Sequence, residues 1–78
     1  MKFVDDNLRR ADAAFNRVKR KVLKEAEQAG WWGWDRPGEI KTSDLERRLL
    51  KNARKRDWVD VGNLAMMLWY RQKKRREA

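Results

Sequence analysis

Asp57-Trp58-Val59-Asp60-Val61-Gly62-Asn63-Leu64-Ala65-Met66-Met67-Leu68-Trp69-Tyr70 is the stretch whose reading decides how this chain folds. Trp58, Val61, Leu64, Ala65, Leu68 and Trp69 recur at helical steps and mark one face. Met66, Met67 and Tyr70 carry apolar surface around most of the remaining circumference. A helix that is apolar on several sides must be covered on several sides, so the rest of the chain has to wrap around this one. Asp57 suits the cap position ahead of it, and Asp60 falls in its first turn, where the positive end of the helix dipole favours a carboxylate.

Upstream, Ser43 followed three residues later by Glu46 has the spacing of a reciprocal capping box and predicts a helix start there. Leu45, Leu49 and Ala53 form a narrow apolar stripe with Leu50 beside it, and Arg47, Arg48, Lys51, Arg54, Lys55 and Arg56 surround that stripe with positive charge. Further back, Leu8, Ala11, Phe15, Val18, Val22, Ala26 and Ala29 recur at steps of three and four, predicting an amphipathic helix from about Asp6 to Ala29. Asp5, Asp6 or Asn7 can cap its start, and Gly30 suits the left-handed residue that closes it. Arg9, Arg10, Arg17, Arg20, Lys21 and Lys24 lie away from its apolar stripe. Trp31 to Gly38 interrupts the period with glycines and a proline and reads as a loop carrying Trp31, Trp32 and Trp34.

The expected fold is all-α, a single small three-helix domain over residues 1–78: helix, Trp-rich loop, helix, short turn, helix. A chain of this length buries only about 60% of the surface its unfolded form exposes. With neither cysteine nor histidine, disulfide and zinc staples are excluded, and oligomerisation is the remaining common remedy. The third helix is therefore expected to form a homodimer interface through Leu64, Met67, Leu68 and Trp69, with residues 71–78 trailing as a basic, partly frayed tail.

Lys and Arg number 21 against 12 Asp and Glu, a formal charge of +9 that attracts polyanions. The expected partner is nucleic acid, held mainly through its phosphates, or an acidic host protein. The candidate phosphate contacts are Arg17, Lys21, Lys24, Arg47, Arg48, Lys51, Arg54, Lys55, Arg56, Lys73, Lys74, Arg75 and Arg76. The loop residues Trp31, Trp32 and Trp34 either fold back as a lid over the core or stay exposed to stack on a base or anchor a partner. The start of the chain lacks a signal-peptide pattern, and its longest apolar run, Leu64 to Tyr70, is far shorter than the roughly 20 residues a membrane span needs. A cytoplasmic location without membrane attachment is the corresponding expectation.

Absence of His and Cys removes the commonest general base, the thiolate nucleophile and the usual transition-metal ligands, so the chain is read as non-catalytic. The chemistry left is magnesium held by carboxylates. Asp57 to Leu68 resembles the metal-site helix of the all-alpha, MazG-like nucleotide pyrophosphohydrolases, especially short phage-encoded relatives. Asp57, Asp60 and Asn63 match its acid, Asp and Asn positions, with Asp57 where Glu is usual and Gly62 where Ala is usual. The resemblance implies a phage or prophage origin, a bacterial host cytoplasm and a helical dimer. As an alternative function it implies magnesium-dependent pyrophosphohydrolysis through Glu46, Asp57 and Asp60. The family's preceding Glu-Glu-x-x-Glu cluster is missing: Glu46 stands alone among Arg47, Arg48 and Lys51. No other cofactor is expected. A modulator of a host transcription, replication or defence complex is the other alternative, since a few aromatic and Arg residues supply most of an interface's energy.

Overall fold

A computed structural model describes residues 5–31, 33–36 and 38–77. It contains three helices, α1 (Asp6–Gln28), α2 (Thr42–Arg54) and α3 (Trp58–Glu77), and no strand among the described residues, as an all-α chain requires. Asp5 caps α1, its carboxylate accepting from the backbone N–H groups of Asn7 at 2.7 Å and Leu8 at 3.0 Å. At the other end Gly30 takes φ +85°, and the N–H groups of Gly30 and Trp31 turn back to the carbonyls of Glu27 and Ala26, closing the helix and starting the loop.

The turn after α2 uses the same closure without a glycine. Arg56 sits at φ +59°, with its N–H on the Ala53 carbonyl and the Asp57 N–H on that of Asn52, each at 3.0 Å. Asp57 then accepts from the Asp60 N–H at 3.2 Å and caps α3. Two residues therefore separate a helix end from the next helix cap, which is what folds α2 back antiparallel along α3.

The expected capping box does not form. Lys41 is the residue ahead of α2 and no side chain caps the helix, so Ser43 and Glu46 both lie inside it. The start is instead held from a distance: the buried Arg71 of α3 donates to the Ile40 carbonyl at 2.6 Å and to Thr42 Oγ1 at 3.3 Å. These bonds anchor the residues around the start but do not cap it, because the orphan groups there are N–H donors and a guanidinium only donates.

α3 packs against both other helices, whereas α1 and α2 do not meet. Leu45, Leu64 and Met67 form the buried core, flanked by Leu23, Trp31, Trp34, Ile40, Leu49 and Leu68. Along α1, Phe15 comes so close to Gly62 that a Cβ there would lie 2.7 Å from its ring, and one turn on Asn63 donates to the Lys19 carbonyl at 3.4 Å. Leu23 then reaches the core, so α1 and α3 run side by side in the same direction.

This arrangement bears on two expectations about the helices. Of the four residues expected at a homodimer interface, Leu64 and Met67 are buried within the protomer, Leu68 is half-buried and Trp69 is 59% exposed. Segment 71–77 is helix throughout rather than a frayed tail, because Arg71 is fastened to the loop and α3 continues from that anchor to Glu77. The apolar stripe of α1 is only half used: none of its residues is fully buried, and Leu8, Phe15 and Val18 remain largely exposed because α3 reaches only the later turns.

Candidate nucleic-acid interface

The loop between α1 and α2 is fastened by one side chain. Arg71 directs Nε to the Trp34 carbonyl at 2.5 Å while its other nitrogens take Ile40 and Thr42. It forms no ion pair among the described residues, so two carbonyls and a hydroxyl satisfy a buried guanidinium. Trp34 meets Tyr70 edge to face, with centroids 5.6 Å apart and planes at 60°. Trp31 packs on the core, and the guanidinium of Arg48 lies 5.7 Å from its ring centre.

Trp31 and Trp34 are thus half-buried lids, not free platforms for bases, because the small core needs their area to close. Trp32 lies outside the described residues. Among the described residues the tryptophans that face solvent are Trp58 and Trp69 on α3, which sequence periodicity had placed on the packing face. Arg71 and Asn63 were missed as interior groups. Their signal was present: Arg71 stands seven residues after Leu64 and four after Met67, on the buried face.

The cations expected to meet phosphate fall into three groups, one on each helix. Arg17, Lys21 and Lys24, with Arg20, line a shallow depression of about 630 Å³ along α1. Arg47, Arg48 and Lys51 line a second, of about 420 Å³, where Glu39 and Asp44 also lie; Arg54, Lys55 and Arg56 continue from it, all exposed. Lys73, Lys74, Arg75 and Arg76 occupy the last turns of α3, with Lys73 over Trp69 and Lys74 over Tyr70 at 5.7 and 5.6 Å. Only Arg47, paired with Asp44 at 3.1 Å, and Lys73, with Glu77 at 3.9 Å, have acidic partners among the described residues. Such exposed pairs are worth well under about 1 kcal/mol, so they hold neither cation against a phosphate.

Asp57 and Asp60 are neighbours at the start of α3, while Glu46 faces a different surface, the groove between α2 and α3 that Arg71 also lines. Among the described residues no three acidic side chains come together as ligands for an ion. Burial, and then the hydrogen bond and charge of Asp57, raise the pKa of Asp60 above the ordinary carboxylate value. Asp60 and Asn63 instead border a half-open cleft of about 180 Å³ lined by residues of all three helices, together with Trp31, Arg48, Asn52 and Leu64. Asn63 is only 4% exposed; its amide donates to Lys19, and its Oδ1 has no hydrogen-bonding partner.

No family model, curated protein or solved structure matches this chain. No helix among the described residues is long and apolar enough to cross a membrane.

Proposed function

We propose that this is a non-catalytic, phage-encoded nucleic-acid-binding protein that engages phosphates along α2 and the last turns of α3 in the cytoplasm of a bacterial host. The observation that carries the reading is the set of exposed cations without acidic partners: Arg48, Lys51, Arg54, Lys55 and Arg56 follow one another along one helix and its turn. Side chains already poised on a rigid helix lose little order on meeting a phosphate backbone, and the condensed counterions they release drive association. Binding is sequence-tolerant at this surface because its contacts go to phosphates. A homodimer would double the basic track, and Trp69 on α3 is the apolar contact available to a second copy.

Fluorescence anisotropy with labelled single-stranded and duplex DNA across salt concentrations tests the proposal. Six engaged phosphates give a logarithmic slope of about −5 on duplex DNA. Changing Arg48, Lys51 and Arg54 together to Gln should reduce the slope by about three. A response independent of salt would refute the reading.

A host-protein partner is the second reading, supported by the solvent-facing rings of Trp58 and Trp69, which are 58% and 59% exposed and suited to anchoring in another protein's pocket. Its signature is capture of an acidic protein from nuclease-treated host lysate that is lost when both rings are changed to Ser. The magnesium-dependent reading rests on Asp57 and Asp60, neighbours at the start of α3. It predicts pyrophosphate release from nucleoside triphosphates that Asp60→Asn abolishes.

A further inference from the structure

We propose that the apolar seam of α1 is a homodimer interface, paired antiparallel with the α1 of a second copy. The pairing does not depend on nucleic-acid binding. It starts from the seam itself: Leu8, Ala11, Phe15, Val18 and Val22 alternate steps of three and four, the narrow pattern of a helix that seats against another helix. Inside the protomer α3 covers only its later turns, and Leu8, Phe15 and Val18 are 59%, 39% and 46% exposed. Trp58 stands one turn before Gly62 on α3, and Gly62 lies against Phe15. Since the two helices run in the same direction, the exposed Trp58 sits at the level of Ala11 and widens the same apolar surface. Contiguous apolar surface on a chain with so small a core marks an interaction site.

Charge beside the seam says what covers it. Asp12 and Lys19 are one heptad apart and share a flank of the seam, where the Lys19 ammonium lies 5.9 Å from the centre of the Phe15 ring. Neither forms an ion pair within the protomer among the described residues.

Placing two copies antiparallel about a twofold axis at Phe15 sets Leu8 opposite the partner's Val22 and Ala11 opposite the partner's Val18. The same register sets Asp12 opposite the partner's Lys19, and the twofold repeats that ion pair. A parallel pairing instead sets each of these charges against its own copy and aligns the helix dipoles. Arg17, Arg20, Lys21 and Lys24 line the depression on the other side of α1, so the strongest positive charge of the helix stays in water and away from the contact. The second copy is thereby seated on α1 rather than on the lone ring of Trp69.

Sedimentation velocity of the full chain, freed of nucleic acid and followed from micromolar to millimolar concentration, tests the pairing. The mass should rise with concentration to twice the protomer's 9.5 kDa. Phe15→Ser and Asp12→Lys should each weaken association at least about tenfold, while Trp69→Ser leaves it unchanged. Combining Asp12→Lys with Lys19→Glu should restore the dimer, because antiparallel copies then exchange the two signs. An equimolar mixture of those two single variants, each weakened alone, should also pair. Far-ultraviolet circular dichroism checks that every variant keeps its helices, as positions outside the core allow.

A protomer mass at every concentration would overturn the pairing and leave the seam to a different occupant. A dimer that withstands Phe15→Ser, or one that Trp69→Ser dissolves, would place the contact elsewhere and overturn it as well. If the folded double exchange stays as weak as Asp12→Lys alone, the antiparallel register is wrong.

Discussion

Replacing Arg71 by Met keeps the length and most of the volume of the side chain while removing its charge and all its donors. Three hydrogen bonds disappear, to Trp34 O, Ile40 O and Thr42 Oγ1, and the two carbonyls lose a charged donor in a partly buried setting. Bonds to charged groups contribute roughly 1.5–3 kcal/mol each, and deleting an unpaired buried cation returns part of that through the desolvation it no longer suffers. A net loss of about 3–4 kcal/mol follows, against a total stability of about 4–12 kcal/mol for a chain of this size by the usual per-residue scaling. At roughly 4–8 °C per kcal/mol, the thermal midpoint should fall by at least about 12 °C.

Circular dichroism at 222 nm reads the midpoint, and near-ultraviolet ellipticity reads the tryptophans that the loop holds on the core. Arg71→Lys, which keeps the charge but not the fork of donors, should fall between the two. If Arg71→Met melts within about 3 °C of the parent chain with its aromatic signal intact, the loop is not held by Arg71 and the fold described here is wrong at that point.

Arg56→Gly should raise stability by about 0.5–1 kcal/mol in urea unfolding, because the left-handed conformation at φ +59° suits glycine and burdens a residue with a Cβ. Leu45→Ala should lower stability by about 3–5 kcal/mol, since this side chain is wholly buried, whereas Leu8→Ala at the exposed start of α1 should change it by less than about 0.5 kcal/mol. The Asp60 carboxyl, followed by NMR, should titrate above its ordinary value of 3.8, and Asp57→Asn should bring it partly back, burial being the larger cause. Because the folded state binds this proton more tightly than the unfolded one, the contribution of Asp60 to stability is greatest below that ordinary value. It declines as pH rises through the raised folded value; a midpoint at or below 3.8 would contradict the burial.

Periodicity made the helices legible. The steps of three and four in α1 and α2, the acids at Asp5, Asp57 and Asp60 and the glycine at Gly30 are local signals, acting within a turn or two of themselves, so a linear reading recovers them. Which residues of α3 face inward was not recoverable in that way. Its apolar residues surround the cylinder, and only the placement of α1 and α2 decides that Leu64 and Met67 go inside while Trp58 and Trp69 stay out.

The start of α2 shows the same division. A capping box is a local pattern, yet it does not form, and the chain around the start is anchored by Arg71, 29 positions from Thr42. From the chain alone came the all-α class, the count of helices and the crowding of positive charge on their outer faces, because each depends on neighbours in sequence. Tertiary structure alone decided that two loop tryptophans close the core, that an arginine is buried to fasten them, and that Asn63 borders a cleft with an unused acceptor. Local spacing places Arg71 on the buried face, but the acceptors that make its burial tolerable come from distant segments, and no local pattern encodes those.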